Sequence, residues 1–301
     1  MRRFLKNTGL FAVIILLLLA IGEVVVRHLP NSYGYKHRWL SGHGDAVSTL
    51  VLGSSHTYYG VRSDLLGDSV FNLANVSQTP DVDLSLLKYY DKTLPNLRRV
   101  IIPVSYFTFV DPRLEDGGEW FRCIGYKVSM GLPDHSDLSK YNFEISDFDG
   151  YRAKLQGLVI KQPSNKCDSL GWGVGYTLDS RPGDWEEQGA KRAEATTIPV
   201  TDRAGQVERR LQEIVDFCRA RNVETVLVTT PVWHTYREHL DTAQLNDMYL
   251  RTKRLANRNG LKYINLFDSK EFVDEDFHDV DHLSDVGAEK FSILLKKALN
   301  R

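Results

Sequence analysis

A short apolar segment that stops abruptly at small polar residues constrains the fold of this chain most. Thr49-Leu50-Val51-Leu52 is followed at once by Gly53-Ser54-Ser55-His56. Because the segment is apolar throughout, it is typical of a central strand in a parallel sheet, which helices cover on both faces. The glycine and the two serines end the strand and allow a helix to begin. Ser55 is therefore expected at the carboxyl end of the first strand of a parallel sheet.

Strands and helices alternate along most of the remaining chain. Strands are predicted over Val47–Gly53, Ser69–Leu73, Arg99–Val104, Glu224–Thr229 and Leu261–Leu266, and helices over Asp81–Thr93, Asp202–Arg221, Thr242–Asn259 and Val286–Leu299. This order predicts an α/β fold, a three-layer sandwich with a central parallel sheet. In such sheets ligands bind outside the carboxyl ends of the strands. Four residues follow predicted strand ends in this way: Ser55, Ser77, Ser105 and Pro231.

The middle of the chain breaks this pattern. Between residues 106 and 200, glycine, proline, tryptophan and tyrosine are scattered and the apolar periods are short. A structureless loop of that length is uncommon in a compact domain, so we interpret 106–200 as an insertion with small elements of its own that covers the site. The expected organisation is a cytoplasmic N-terminus and transmembrane anchor over 1–29, a tether over 30–46 and an α/β domain over 47–301.

The N-terminus predicts a membrane anchor. Three cations within the first six residues precede an apolar run over residues 9–26, which only Glu23 interrupts with a charge. About 20 apolar residues span the hydrocarbon core of a bilayer, and the leading cations place the N-terminus in the cytoplasm. A cleaved signal peptide is the competing interpretation, although its apolar region is normally shorter. We expect a single-pass protein of the cell membrane, with the C-terminal domain periplasmic or extracellular.

Composition argues against several functions. The 39 acidic and 38 basic residues nearly cancel, so there is no global basic field for nucleic acid. Walker and dinucleotide glycine motifs are absent, which argues against nucleotide chemistry. The three cysteines have no metal-ligand spacing. Cys123 and Cys167 are candidates for one disulfide if the domain is exported, whereas Cys218 is expected as a buried thiol on a helix face.

A second segment gives Ser55 its chemical interest. Asp279-Val280-Asp281-His282-Leu283-Ser284 places an aspartate three residues before a histidine, on a loop ahead of the last helix. A serine becomes a nucleophile when a base takes its proton, and an acid orients that base. Singly, Ser55 is also explained as a helix cap, His282 as a surface histidine and Asp279 as one acid of an acidic run. Together they predict a triad of Ser55, His282 and Asp279.

These two segments resemble the SGNH (GDSL-type) hydrolase superfamily. There the nucleophile ends a Gly-x-Ser motif after the first strand, and an Asp-x-x-His lies near the end of the chain. Gly287, which opens the last helix, also fits that pattern. The resemblance covers roughly residues 47–105 and 202–298. It implies an SGNH-hydrolase-like, flavodoxin-like fold with Ser55 as nucleophile, His282 as base and Asp279 as acid.

The chain departs from that superfamily in the residues that would bind the oxyanion. The superfamily's second block carries a glycine whose amide serves this purpose, but the corresponding segment here has none, so the amide of Ser77 or Gln78 is the expected replacement. The third block normally supplies an asparagine. Here the third strand runs into Ser105 and Tyr106, whose hydroxyls are candidates together with Asn75. Losing one oxyanion donor typically costs ~2.7–4 kcal/mol of transition-state stabilisation.

Three more residues are candidates for substrate contact. Trp233 is able to stack on a sugar ring, with a buried structural tryptophan as the alternative. His234 lies on the same loop and is otherwise a solvated histidine. His56, next to the nucleophile, either contacts the acyl donor or caps the following helix.

The overall layout resembles the membrane-anchored branch of the superfamily, which includes the D-alanyl transfer protein DltD and the alginate acetylation proteins AlgJ and AlgX. Anchor, tether, Gly-Ser-Ser-His, long insertion and Asp-x-x-His follow in that order. This resemblance implies an extracytoplasmic O-acyltransferase or esterase that acts on a cell-envelope polysaccharide or glycan through an acyl-Ser55 intermediate. The implied partners are the glycan acceptor and an acyl donor delivered through a membrane-bound O-acyltransferase. No cofactor is expected.

Two other functions are compatible with the sequence. A catalytically weak or inactive protein of this fold would bind a polymer or act as a scaffold for a membrane O-acyltransferase. The missing glycine and asparagine favour that function, whereas Ser55, Asp279 and His282 favour catalysis. A metal-dependent hydrolase would use His278, Asp279, Asp281 and His282. Those residues share one loop and have no further ligand at a recognisable spacing, so no metal is expected.

Overall fold

The structure is a computed structural model that describes residues 1–133, 139–160, 166–199 and 202–300. Its sheet consists of strands β1 (Thr49–Val51), β2 (Val70–Asn72), β3 (Arg99–Pro103), β4 (Glu224–Thr229) and β5 (Lys262–Asn265). The order across the sheet is β2-β1-β3-β4-β5, and each neighbouring pair is parallel. The predicted α/β fold with a parallel sheet is confirmed, and each predicted strand is found within its predicted bounds.

Strand β1 lies where the order of the sheet reverses. From β1 the chain goes to β2 on one side and then to β3 on the other. Val51 at the end of β1 pairs with Asn72 of β2 and Ile101 of β3, so these strands end at the same edge. Both Val51 and Ile101 are fully buried, as apolar central strands require. In sheets of this order a ligand binds outside the carboxyl ends of the strands at such a switch point.

Helices cover both faces of the sheet. The helices of the described residues are α1 (Arg2–Arg27), α2 (Ser32–His43), α3 (Ser55–Gly60), α4 (Ser63–Leu66), α5 (Pro80–Tyr89), α6 (Arg122–Ile124), α7 (Phe148–Ile160), α8 (Gly189–Thr196), α9 (Arg203–Arg219), α10 (His234–Arg237), α11 (Thr242–Asn259) and α12 (Asp285–Leu299). Right-handed crossovers put α5, α9 and α11 on one face and α3 and α4 on the other. Accordingly α9 packs against α5 and α11, while α12 packs against α3 and α4. This is the predicted three-layer sandwich.

The helix after the irregular middle shows how the sequence determines the packing. Helix α9 has apolar residues three or four positions apart, which places them on one face. That face is buried and consists of Ala204, Val207, Leu211, Ile214, Val215 and Cys218. Burial of this stripe against the sheet and its neighbouring helices confirms the predicted amphipathic helix and the predicted buried thiol.

The chain divides into two compact units. One consists of Met1–Arg38 with Phe121–Asn165, and the other of Trp39–Trp120 with Lys166–Arg301. The second unit contains the whole sheet. The segment predicted to be one insertion, 106–200, is therefore shared between the two units, because residues 106–120 and 166–200 belong with the sheet.

Helix α1 is long and apolar enough to cross a membrane. At ~1.5 Å per residue, its 26 residues extend about 39 Å. Glu23, which interrupts the apolar run of this helix, is accommodated within the first unit, where its carboxylate accepts the N–H groups of Glu144 and Ile145 at 2.9 and 3.1 Å. A membrane anchor and a signal sequence share the length and composition of α1.

The connecting region before β1 contains a helix that the sequence did not predict. The predicted tether contains helix α2, in which Leu40 is fully buried and the ring of Trp39 stacks on Phe71 at 4.2 Å. This helix escaped detection because its apolar residues are interspersed with glycine and basic residues and give only a weak helical period. Cys123 belongs to the first unit and Cys167 to the second, and a disulfide between them stays a prediction.

Candidate active site

The turn after β1 depends on a glycine. Gly53 has a φ of +101°, a conformation that favours glycine, and a β-carbon there would lie 2.0 Å from Cγ of Pro103. The Gly53 N–H donates to Oδ1 of Asp83 at 3.0 Å, and its carbonyl accepts the N–H of Asn75 at 3.1 Å. These contacts turn the chain directly from the strand into α3. Ser55 becomes the first residue of that helix, at the switch point of the sheet.

The loop with the predicted acid and base is held by its own aspartate. Oδ1 of Asp279 accepts the N–H groups of Asp281 and His282 at 3.1 and 2.9 Å. An aspartate that bonds the backbone ahead of it in this way forms a tight turn. Just beyond, Oγ of Ser284 accepts the N–H of Gly287 at 3.2 Å and caps α12. The local sequence therefore holds His282 in a short, ordered loop before the last helix.

Ser55, His282 and Asp279 form a continuous hydrogen-bonded chain. Oγ of Ser55 is 2.7 Å from Nε2 of His282, and Nδ1 of His282 is 2.9 and 3.0 Å from the two oxygens of Asp279. Because the carboxylate can only accept, the neutral form of the imidazole carries its proton on Nδ1, and in that form Nε2 accepts the Ser55 hydroxyl proton. Ser55 and His282 are each 8% exposed, so the pair is shielded but still reached by solvent. This geometry is able to activate a serine nucleophile.

Two carboxylates set the basicity of His282. Burial alone would lower the pKa of the imidazole, but the negative charges of Asp279 and Asp281 outweigh it and raise the pKa of His282 to about 10. Oδ1 of Asp281 lies 3.2 Å from Nδ1 of His282. Burial would raise the pKa of Asp281, yet His282 and Arg192 hold it well below its usual range. The imidazolium that proton transfer creates is therefore strongly stabilised.

A second histidine lies beside the first. The ring centroids of His56 and His282 are 5.0 Å apart. Nε2 of His56 is 3.4 Å from Oδ2 of Asp281, and its Nδ1 is 2.7 Å from Oγ of Ser105. Burial lowers the pKa of His56 and favours its neutral form. Arg192 contacts the same Oδ2 of Asp281 through Nε at 2.9 Å and Nη2 at 2.8 Å. Asp281 thus joins both histidines and an arginine.

Ser55 opens onto a cavity of about 340 Å³. That volume is at the lower end of the range for ligand pockets. Phe107 and Leu114 contribute apolar surface to its wall. The charged residues that line it are Asp83, Asp111, Arg113, Glu119, Arg192 and Arg203. The cavity therefore offers space beside the nucleophile for a small acyl group and for a polar alcohol.

Among the residues predicted to bind the oxyanion, Ser77 and Gln78 line this cavity. The Gln78 N–H donates to the carbonyl of Asn75 at 3.2 Å, whereas the Ser77 N–H has no acceptor among the described residues. Ser77 also has a φ of +59°, so a serine holds the backbone conformation that glycine usually adopts. The side chain of Asn75 is bonded to Oε1 of Gln78 at 3.3 Å. The geometry therefore favours the Ser77 amide over the other candidates.

The remaining predicted side chains are hydrogen-bonded to other protein groups and are not among the described residues that line the cavity. The hydroxyl of Ser105 is bonded to His56, and the hydroxyl of Tyr106 lies 2.8 Å from Oγ1 of Thr197. His56 is the second residue of α3, but its buried ring is bonded to Ser105 and Asp281 and does not cap the helix. None of these three residues is among the described residues that line the cavity.

Trp233 lies on the loop after β4, whereas His234, predicted on the same loop, begins the short helix α10. Neither is among the described residues that line the cavity. Nε1 of Trp233 donates to Glu186 at 3.1 Å, and its ring centroid is 5.4 Å from that of Trp185 in the buried core. Nδ1 of His234 is 3.1 Å from Oε1 of Glu238. The packing of Trp233 matches the structural alternative considered for it, and sugar contact by either residue stays a prediction.

Three residues of the site were not identified as such from the sequence. Asp281 was considered only as a metal ligand, although its position one residue before His282 was a usable signal. Asp83 lies on the buried face of α5, and burial raises its pKa to about 7. An aspartate beside apolar core positions was therefore also detectable. Arg192 lies in the irregular middle of the chain, where nothing in the sequence marked it.

His56, Asp281 and His282 offer ligand atoms within 4.8 Å of one another, which is close enough for a metal ion. Arg192 contacts the shared carboxylate at 2.8 Å, and its positive charge would repel a cation there. Nε2 of His282 is also committed to Ser55. These contacts make the cluster a hydrogen-bond network.

Comparison with known proteins finds only distant similarity. No protein-family model matches the chain, and no curated protein matches its sequence. Solved structures with a similar fold include a lipase/acylhydrolase from Enterococcus faecalis, with a TM-score of 0.41, 11% identity, and coverage of 84% of this chain and 95% of that one. An extracellular lipase from Streptomyces rimosus has a TM-score of 0.38 at 10% identity and covers 84% of this chain and 98% of its own.

An acetyl xylan esterase, AlAXEase, has a TM-score of 0.39 at 13% identity, with coverage of 83% and 97%. Similarity at this level does not bear on the activity of the present chain. The fold rests on the order and direction of its strands, and the chemistry of its site rests on the contacts of Ser55, His282 and Asp279.

Proposed function

We propose that this chain is a serine-dependent esterase or O-acyltransferase of the SGNH type, with Ser55 as nucleophile, His282 as base and Asp279 as acid. One observation carries the proposal. Ser55 lies 2.7 Å from a histidine that a carboxylate orients at 2.9 Å, at the wall of a cavity and at the switch point of the sheet. Single serines or histidines have many structural uses, but this combination of geometry and access is suited to nucleophilic catalysis.

The proposed reaction has two halves. Nε2 of His282 takes the Ser55 proton while Oγ bonds to the acyl carbon, and Asp279 stabilises the resulting imidazolium. As the tetrahedral intermediate collapses, His282 gives the proton to the departing alcohol and an acyl-Ser55 remains. A second hydroxyl compound then loses its proton to His282 and takes the acyl group, and His282 returns the proton to Oγ of Ser55 as the acyl–Oγ bond breaks. Water gives hydrolysis, and a sugar hydroxyl gives transfer.

The amides of Ser55 and Ser77 are the proposed donors to the oxyanion. Ser55 begins a helix, where backbone N–H groups have no partner within the helix. Ser77 lines the same cavity, its φ is +59°, and its N–H has no acceptor among the described residues. Two backbone donors would replace the missing asparagine. A single effective donor would leave a slow enzyme, since each donor contributes ~2.7–4 kcal/mol.

The proposed substrates are acyl esters, and the proposed acceptor is a cell-envelope polysaccharide or glycan. Helix α1 supports this assignment because it would hold the domain at a membrane surface, with the site on the extracytoplasmic side. A membrane-bound O-acyltransferase would then supply the acyl group. The polar lining and moderate volume of the cavity are compatible with a small acyl chain and a sugar hydroxyl.

The test uses the full-length chain in detergent micelles. Incubation with a chromogenic acetyl ester should release alcohol and leave an acetyl adduct on Ser55 that intact-mass analysis detects. Ser55→Ala should reduce turnover by at least ~10³-fold and abolish the adduct. Ser269→Ala provides a matched control, because Ser269 lies on the loop after β5 outside the site.

Adding envelope oligosaccharides separates transfer from hydrolysis. Transfer predicts an acetylated oligosaccharide at the expense of free acetate. An adduct or turnover that survives in Ser55→Ala would refute the proposed nucleophile. Absence of any adduct in the folded protein, with both an acetyl ester and a fluorophosphonate probe, would favour the non-catalytic binding function instead.

A further inference from the structure

The acid next to His282 has contacts that the triad alone does not explain. Asp281 is 2% exposed, compared with 27% for the side chain of Asp279. One of its oxygens lies 3.2 Å from Nδ1 of His282. The other receives Nε and Nη2 of Arg192 at 2.9 and 2.8 Å and lies 3.4 Å from Nε2 of His56. A buried carboxylate is costly unless it is paired and hydrogen-bonded, and here both conditions are met.

We propose that Asp281 is a second carboxylate of the His282 base, and that His56 and Arg192 are positioning residues that hold it in place. The inference rests on the proposed function of His282, because a base is what the second carboxylate would serve. Asp279 alone would orient the imidazole. Asp281 adds charge to the same Nδ1, and Arg192 limits how much of that charge His282 receives.

The charges around His282 support this arrangement. Asp279, Asp281 and Arg192 together leave one net negative charge when both histidines are neutral. Transfer of the Ser55 proton to His282 brings that local sum to zero. In a buried site, where an uncompensated charge is expensive, this favours the proton-transfer step. Without Arg192 the cluster would carry a second unbalanced negative charge next to the base.

Two tyrosine rings also face His282 among the described residues. The rings of Tyr59 and Tyr176 lie 6.1 and 5.3 Å from its ring, edge to face. Burial raises the pKa of the Tyr176 hydroxyl, which keeps it neutral. His278 stacks on Tyr176 at 4.1 Å. In the described part of the chain, Asp279 and Asp281 are the carboxylates bonded to Nδ1 of His282, and Arg192 is the cation bonded to Asp281.

His56 fits a positioning function because both of its nitrogens are occupied. Nδ1 accepts from Ser105 and lies 3.3 Å from Oγ1 of Thr230, which leaves the Nε2 proton directed to Asp281. Ser105 and Thr230 follow β3 and β4. Through His56, the ends of two strands therefore fix the carboxylate that approaches His282. His56 is not among the described residues that line the cavity.

The test measures the imidazole directly and does not depend on turnover. Full-length protein labelled with ¹³C at histidine Cε1 is titrated by NMR in detergent micelles from about pH 5 to about pH 11. The resonance of His282 is assigned with His282→Gln. The variants are Asp281→Asn, Arg192→Gln, His56→Ala and His56→Gln. Asp268→Asn, an exposed aspartate on the loop after β5, is the matched control.

The expected shifts have opposite signs. Asp281→Asn should lower the pKa of His282 by about one unit or more, since a carboxylate within ~4–6 Å typically shifts a pKa by that amount. Arg192→Gln should raise the pKa of His282, because the positive charge that offsets Asp281 is then removed. His56→Ala should lower it, and His56→Gln should lower it less because glutamine keeps a donor for Asp281. General damage to the fold would not produce shifts in both directions.

Two results would overturn the inference. One is a His282 pKa in Asp281→Asn that equals the value in Asp268→Asn. The other is a shift of the same sign in Arg192→Gln and Asp281→Asn. The proposed function fails separately, through the ester and adduct measurements on Ser55→Ala. The two measurements therefore distinguish an inactive protein in which Asp281 controls the pKa of His282 from an active enzyme in which it does not.

Discussion

Replacing Gly53 by alanine tests whether the turn after β1 positions the nucleophile. Gly53 has a φ of +101°, and an alanine β-carbon would lie 2.0 Å from Cγ and 2.3 Å from Cδ of Pro103. The proline ring is part of β3 and cannot rotate away as a flexible side chain would. The backbone of Gly53 must therefore move, and Ser55 two residues later must move with it.

The size of the effect follows from two separable costs. An alanine in the left-handed region costs ~1–2 kcal/mol, and forced overpacking of a core typically costs ~1–3 kcal/mol. We therefore expect the turn to be destabilised by ~2–5 kcal/mol. Relief of the clash requires a shift of about 1 Å, which is enough to reduce the reactivity of a positioned group by ~10²-fold. Gly53→Ala should accordingly lose both local stability and most of its serine labelling.

The assay has a stability arm and a reactivity arm. Hydrogen exchange of peptides from β1 and β3 reports the local opening free energy without assuming that both units unfold together. The rate of fluorophosphonate labelling reports the position of Ser55. Gly260→Ala is the matched control, because Gly260 also has a positive φ, +64°, but open space around its β-carbon. It should cost only ~1–2 kcal/mol and leave labelling unchanged.

The reasoning would be refuted if Gly53→Ala were no more destabilising than Gly260→Ala and labelled at the normal rate. That result would mean that the contact with Pro103 is relieved without moving the nucleophile.

Two further predictions concern pH. Because the pKa of His282 is raised to about 10, the imidazole is protonated below that pH and cannot accept the Ser55 proton. The value of kcat/KM for an acetyl ester should therefore fall about tenfold for each pH unit below about 10. A pH profile of kcat/KM that is already flat above about pH 7.5 would contradict the assigned basicity. Asp83 has a pKa raised to about 7, so the folded state holds its proton more tightly than the unfolded chain, and stability contributed by the neutral acid is lost as pH rises from about 4 through about 7. Asp83→Asn should therefore raise the melting temperature at pH 8 relative to the original protein and lose this advantage at pH 4, as thermal unfolding of both proteins at the two pH values will show.

Much of the fold was predictable because its elements are strongly patterned. The central strands are continuous apolar runs, and α9 repeats its apolar residues every three or four positions. Such patterns report burial directly. Helix α2 lacks them and was missed. The division of the middle of the chain between two units was also not predictable, because it depends on contacts between segments far apart in sequence.

The geometry of the candidate site was predictable where the residues that contact each other lie close together in the sequence. Asp279 lies three residues before His282, and the tight turn that joins them is formed by backbone bonds to Asp279 itself. Ser55 was predictable because a strand that ends in glycine and serines places its last residues at the binding edge of the sheet. Residues held by distant partners were not: the hydroxyls of Ser105 and Tyr106 were expected at the oxyanion, but His56 and Thr197 occupy them.

The acidic segment before α12 shows why such partners decide function. In the sequence its aspartates look equivalent, yet the structure gives each a different counterpart. Asp274 pairs with Arg181 at 2.5 Å, Asp276 with Lys290, Asp279 with His282, and Asp281 with Arg192. These partners lie in α8, in α12 and in loops, so no local sequence pattern shows which aspartate pairs with which partner. What separates them is burial together with the nature of the counterpart. A carboxylate paired with a lysine or arginine at the surface contributes little, whereas one that is buried beside an imidazole changes the proton affinity of that imidazole. By this criterion Asp279 and Asp281 act on the imidazole of His282 and Asp274 belongs to the surface, and the pKa of His282 is the quantity that distinguishes the two groups.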